Sequence, residues 1–291
     1  MVKISNNILA IEVSPKGAEL SSILKGGQEY LWQADPKFWP RHSPVLFPIV
    51  GRLWDNKYRI KWEEHQLSQH GFARDMEFTL LEQSEDYVRF QLESTPETLE
   101  KYPFEFRLII GYSLNENRVG VHWSVENIGS VDFPFQIGAH PAFYYPNFDE
   151  KSEKRCYLDF CTKEQLHYIK PVEKGCTTPD QYPLVSDNGV MPIDIHSFDE
   201  CATYVFENHQ VNKVSILDLD KKPYVSVEFD MPILAVWSPV IEHPDVPFIC
   251  LEPWCGRCDS VGFDGDLYER EAQQILAPGE IFRNSYYIIV E

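Results

Sequence analysis

Positive charge is scarce in this chain. Across 291 residues, 26 lysines and arginines face 45 aspartates and glutamates, a formal charge of −19. Such a surface repels phosphate backbones and anionic headgroups, so neither nucleic acid nor membrane is expected as a partner. It also weighs against strongly anionic substrates, although a local basic pocket can override net charge. Long apolar runs are missing too, and nothing approaches a membrane span. The segment Met1-Val2-Lys3-Ile4-Ser5-Asn6-Asn7 lacks the apolar core and cleavage site of a signal peptide. A cytoplasmic location is the expectation.

Cysteine is present but unorganised. Seven is an odd number, and the spacing shows no disulfide framework. Cys255-Gly256-Arg257-Cys258 with Trp254 imitates a thioredoxin-type redox motif. That chemistry needs its first cysteine at the start of a helix, where the dipole lowers the thiol pKa. Asp259 to Gly265 reads as loop instead. No second paired cluster completes four zinc ligands, so a zinc site is not expected either.

Helix signals are few. Thr95-Pro96-Glu97 caps a short helix through about Tyr102, with proline at its first position. Leu267 to Gln274 offers another turn or two. What dominates is short β-type runs between turn residues, with 21 prolines and 15 glycines falling mostly between them. Ile8 to Val13 and Ala18 to Lys25 form a hairpin-like pair around Ser14-Pro15-Lys16-Gly17. From Arg118 to Glu126 the chain alternates, with Val119, Val121, Trp123 and Val125 on one face. Strands do not alternate with long helices, which disfavours a parallel α/β fold. No linker, repeat or charge block divides the chain. With 43% hydrophobic and 14% aromatic residues, one all-β sandwich domain spanning 1–291, with few short helices, is the expectation.

Several polar residues sit oddly among apolar neighbours. Phe248-Ile249-Cys250-Leu251 runs into Glu252, and Pro253 is expected to stop that strand. A carboxylate at the end of a buried strand is costly unless something uses it. Gln136-Ile137-Gly138-Ala139-His140-Pro141 repeats the design with a histidine. Arg52 follows the apolar run Phe47 to Val50, His70 precedes Gly71, and Trp237 lies in Ala235-Val236-Trp237-Ser238-Pro239. Singly, an arginine of this kind is most often a surface ion pair, a histidine a hydrogen-bonded core residue, and Trp237 core.

Together and in order, these pieces resemble the aldose 1-epimerase (galactose mutarotase-like) family, in its LacX-like branch. The resemblance runs from Gly17-Ala18-Glu19-Leu20 and Tyr30-Leu31-Trp32 to Leu276-Ala277-Pro278-Gly279-Glu280. Its most specific pieces are Gly51-Arg52, His70-Gly71-Phe72, Gly138-Ala139-His140-Pro141 and Leu251-Glu252-Pro253-Trp254. It implies a large antiparallel β-supersandwich with a sugar cleft on one sheet, working as a monomer or weak homodimer. It also implies that Glu252 takes the proton of the anomeric hydroxyl while His140 protonates the ring oxygen. Arg52 and His70 then hold the sugar, and Trp237 and Trp254 offer faces for stacking. A carboxylate near His140 is expected to keep imidazolium present near pH 7.

One departure concerns the acidic sugar contact that family members carry before the strand matching Ala202 to Phe206. Cys201 stands there, with Asp199 two positions earlier as the substitute. The expected activity is mutarotation of a neutral hexose, with no metal or organic cofactor. The alternatives are a hexose 6-phosphate held by Arg74 or Arg52, and a non-catalytic sugar-binding sensor. A glycoside hydrolase would need a second carboxylate across the cleft.

Overall fold

The computed structural model describes residues 1–291. Nearly every regular element is an antiparallel strand, and no helix is long and apolar enough to cross a membrane. The largest sheet has nine strands. Its order from one edge is Val190–Asp194, Lys154–Asp159, Lys213–Leu217, Pro223–Phe229, Ile281–Val290, Arg118–Asn127, Phe106–Asn115, Tyr87–Glu93 and Thr79–Gln83. Strand Arg118–Asn127 shows how sequence makes this sheet. Val119, Val121, Trp123 and Val125 are buried, while Arg118, His122, Ser124 and Glu126 on the other face are half-exposed. Side chains that alternate with a period of two bury one face only.

A six-stranded sheet carries the cleft. Its path is Thr203–Phe206, Ile233–Trp237, Phe248–Cys255, Ile137–Ala139 and Val45–Leu46, with Ala142–Tyr144 also paired to Phe248–Cys255. Apolar residues of both sheets and of a separate four-stranded sheet starting at Val2–Ser5 join in one buried cluster. The first hairpin forms as expected, pairing Leu9–Ser14 with Glu19–Lys25.

Pro253 does not stop its strand. Phe248–Cys255 continues through it, with Pro253 opposite Leu234. The Leu251 N–H points to the other side, donating to the Pro141 carbonyl at 3.2 Å. By strand alternation the missing N–H of Pro253 faces that side too, close to the break between Ile137–Ala139 and Ala142–Tyr144. A proline costs little where the neighbouring ladder is already interrupted.

The short helix is present over Pro96–Lys101. The Thr95 and Thr98 side chains each accept from the other's backbone N–H, closing a reciprocal cap. The second helical signal shrinks to a single 3₁₀ turn, Leu267–Glu269.

Candidate active site

One face of the six-stranded sheet forms the floor of a cleft of about 420 Å³. Strand alternation places Thr203 with Val205, and Glu252 with Trp254, on that face, and Trp237 joins them there. The walls come from three irregular segments bearing Trp39 and Arg41, Gly51 and Arg52, and Gln69, His70 and Arg74. The structure thus brings together seven of the residues singled out in the sequence: His140, Glu252, Arg52, His70, Arg74, Trp237 and Trp254.

Asp199 is not among them. Its side chain is 58% exposed and paired with His196, Oδ2 to Nδ1 2.9 Å. Cys201 is buried with its Sγ against the Thr203 carbonyl, and it does not line the cleft either. The chain turns between Asp194 and Thr203, so a residue two positions before Cys201 lies on another surface. The side chains presented at this edge are Thr203 and Val205. This edge therefore offers a hydroxyl where the resemblance implied a carboxylate.

Two glycines hold the walls together. The Gly51 turn and the His70-Gly71 turn exchange backbone bonds: His70 N–H donates to the Gly51 carbonyl at 2.9 Å, and Phe72 N–H to the Phe47 carbonyl at 3.0 Å. Gly71 has φ +69°, and a Cβ there would lie 2.2 Å from the Phe47 oxygen. At Gly51 (φ +71°) a Cβ would strike Cys258 at 2.6 Å. Only glycine permits this approach.

At the cleft floor His140 Nε2 lies 3.3 Å from Glu252 Oε2. His140 comes from the break between two strands, and Glu252 from the strand that pairs with both. Their side chains are 9% and 1% exposed. Burial pushes the Glu252 carboxyl well above the usual carboxylate range. Burial, followed by the Arg74 and Arg41 guanidiniums, drives His140 down to about 3. Burial thus favours the uncharged form of each group, an imidazole against a carboxyl group. This runs against the expectation of a standing imidazolium, because burial and the Arg74 and Arg41 guanidiniums all lower the His140 pKa. Glu252 Oε2 and His140 Nδ1 are buried without a hydrogen-bond partner.

Aromatic rings fix the histidine. Trp39 stacks on the His140 ring, centroids 4.7 Å apart at 28°, and Trp237 meets it edge-on at 5.4 Å. His70 lies edge-on at 5.6 Å. The Gly51 N–H donates to His70 Nδ1 at 3.1 Å, and His70 Nε2 lies 3.2 Å from the Gln69 amide nitrogen, so both ring nitrogens are held by the wall. Burial is the main cause holding the His70 pKa well below its usual value, with His140, Arg74, Arg41 and Arg52 adding to it. Trp254 is pinned by a bond from Nε1 to the Ala139 carbonyl, 3.1 Å.

A concentration of cations borders the cleft. Arg41 pairs with Asp75 at 2.9 Å, Arg74 donates to the Gln69 carbonyl at 2.7 Å, and Arg52 donates to Gln69 Oε1 at 3.1 Å. Arg74 is pushed down to about 10 by burial and by Arg41. Trp39 and Arg41 escaped the sequence reading. They lie in the aperiodic stretch Gln33 to Pro44, where Trp-Pro-Arg is the one mark of a wall. The Cys255–Cys258 pair has no redox setting: Cys255 lies in a strand, both thiols are buried, and burial raises Cys255 to about 12 and Cys258 above its usual value.

A charged hub lies beneath the Gly51-Arg52 turn. Asp259 Oδ1 accepts from Arg270 Nε at 2.5 Å, with side chains 2% and 1% exposed. Arg270 also donates to Gln136 Oε1 and to the Arg257 carbonyl, each at 3.0 Å. Asp259 Oδ2 accepts from the Trp54 N–H at 2.8 Å, and the Asp259 N–H donates to the Arg52 carbonyl at 2.9 Å.

Residues 1–288 match the family model for aldose 1-epimerase. The LacX protein encoded on a plasmid of Lactococcus lactis subsp. lactis is 30% identical, with 99% of each chain covered. A galactose mutarotase related enzyme from Lactobacillus acidophilus superposes with a TM-score of 0.92 at 30% identity, covering 100% of this chain and 97% of that one. A galactose mutarotase-like protein from Lactobacillus casei gives 0.93 at 29% identity, with both chains covered in full.

Proposed function

The chain belongs to the aldose 1-epimerase family, and from that premise we propose that it interconverts the α and β anomers of a neutral hexose. The observation that carries this reading is the His140–Glu252 contact at the floor of a sugar-sized cleft. Opening a pyranose takes one proton from O1 and gives one to the ring oxygen as the C1–O5 bond breaks. A pair that holds a single proton can do both, and the total proton count stays constant. Hydrogen bonds from a bound sugar to Glu252 favour its carboxylate form and leave the proton on His140. Glu252 then accepts the O1 proton while His140 donates to O5. Rotation about C1–C2 and the reverse transfers give the other anomer. Proton transfers of this type contribute about 10² to 10⁴ in rate.

Around the pair, Trp39 and Trp237 hold the His140 ring. The His70 ring, held through Nε2 by Gln69, the Arg52 guanidinium and an apolar edge of Trp237 line the space for the sugar. The decisive assay is polarimetry of freshly dissolved α-D-glucose and α-D-galactose. Acceleration supports the reading, and binding without acceleration would leave a sugar sensor.

A second reading, a hexose 6-phosphate substrate, is favoured by the three arginines at the cleft. Arg41 and Arg74 share the half-exposed Asp75, and Arg52 has no carboxylate partner. A preference in kcat/KM for glucose 6-phosphate that Arg74→Ala abolishes would establish it over the neutral sugar.

A further inference from the structure

We propose that Cys250, His140 and Glu252 form a three-ligand site for a soft divalent cation of the zinc or cadmium class, with its fourth position open to the cleft. Cys250 and Glu252 are two apart on strand Phe248–Cys255 and share its face, and His140 precedes the strand whose Ala142 pairs with Cys250. The ligands are therefore set by the sheet rather than by a mobile loop. One ligand atom from each lies within 4.8 Å of the others, and all three residues are buried. A tetrahedral ion with bonds of about 2.0 to 2.3 Å holds its ligand atoms about 3.3 to 3.7 Å apart. His140 Nε2 and Glu252 Oε2, at 3.3 Å, already meet that spacing. From a separation of at most 4.8 Å, the sulfur then has to approach by at most about 1.5 Å.

The donor set decides the metal. One thiolate, one imidazole and one carboxylate suit zinc or cadmium, whereas magnesium and calcium require oxygen donors throughout. Glu252 Oε2 is buried with no hydrogen-bond partner and only the His140 ring nitrogen at 3.3 Å beside it, and a cation between the two would satisfy both. Cys250 enters as thiolate and Glu252 as carboxylate, so binding releases the protons they carry to solvent. The nearby guanidiniums of Arg41 and Arg74 oppose the ion, which places its affinity below that of a closed structural zinc site. An ion held here occupies the atoms proposed to handle the sugar's protons.

The test reads binding alone, so its outcome is separate from that of mutarotation. Cadmium is titrated into chelator-stripped protein carrying Cys161→Ser, which removes the exposed thiol. Calorimetry gives stoichiometry and affinity, and the thiolate-to-cadmium charge-transfer band reports the sulfur ligand. One ion per chain is expected, with affinity falling at least ten-fold and the band lost in Cys250→Val. Cys250→Ser, which keeps the volume, should also lose the band, and His140→Gln should weaken binding while keeping it. Undiminished binding and band in both Cys250 variants, or no binding to the parent protein, would overturn the proposal.

Discussion

Asp259→Asn should unfold this protein more readily than almost any other single-atom exchange. The substitution keeps volume and keeps an oxygen for the Trp54 N–H, but it strips the charge facing Arg270. That guanidinium is 1% exposed, and what remains to it is Gln136 Oε1 and the Arg257 carbonyl, both neutral. Removing one member of a buried ion pair costs about 3 to 5 kcal/mol, because the other charge stays buried without compensation. Asp259→Ala should lose about 1 kcal/mol more, since the Trp54 N–H also loses its acceptor. At about 2 °C per kcal/mol for a chain of this size, the asparagine variant should melt about 6 to 10 °C lower. Urea titrations of the wild type, both single variants and Asp259→Leu/Arg270→Met provide the assay. The double variant should recover most of the loss, because an apolar pair of similar volume pays no desolvation cost. A loss under about 1 kcal/mol in Asp259→Asn, or a double variant as weak as the single ones, would refute the hub's role.

Glu252→Gln and His140→Gln should each lower mutarotation by about 10² or more, with strongly non-additive losses in the double variant because both groups serve one transition state; polarimetry on folded protein checks this. Trp39→Leu should cut kcat about ten-fold with little change in KM, matching the roughly 1 to 1.5 kcal/mol of an aromatic stack, and Trp39→Phe should restore most of it. Cys255→Ala should leave turnover unchanged and reveal no insulin-reductase activity in the parent, since its thiol is raised to about 12. Acidification should weaken folding through His70: its folded pKa is lowered, so its contribution is complete above 6.5 and falls by about 1.4 kcal/mol per unit below that. His140 and Glu252 cancel between about pH 4.5 and 6.5, where the unfolded pair holds one proton on histidine and the folded pair one on glutamate. Urea midpoints at pH 6.5 and 5 should therefore differ less in His70→Gln than in wild type.

The sheets were legible in the sequence because burying one face imposes a period of two, as Val119 to Val125 shows. His140 and Glu252 were legible because a titratable group at the end of an apolar run has no cheap structural use. Legibility failed where nothing is periodic. Trp39 and Arg41 occupy an irregular stretch, and a tryptophan there looks the same whether it packs in a core or stacks on a histidine. Asp259 and Arg270 lie in loops eleven residues apart, so their pairing depends entirely on tertiary structure. Asp199 was misplaced because counting residues along a turn does not say which surface each one faces. Pro253 was read as a terminator because sequence shows the missing donor but not the gap in the neighbouring ladder.

The order of the nine-stranded sheet has a consequence for how the protein is made. Strand Ile281–Val290 lies between Arg118–Asn127 and Pro223–Phe229, joining one half of the sheet to the other. It leaves the ribosome after every strand it connects. Until then the growing polypeptide displays two unsatisfied strand edges, each able to template a neighbour's chain. The pairing that closes them spans more than 150 residues on one side, as in Arg118 with Ile289, so closure is slow and late. Productive biosynthesis thus depends on keeping those edges apart from other nascent chains until the last strand arrives, a task suited to a chaperone that shields exposed β-edges.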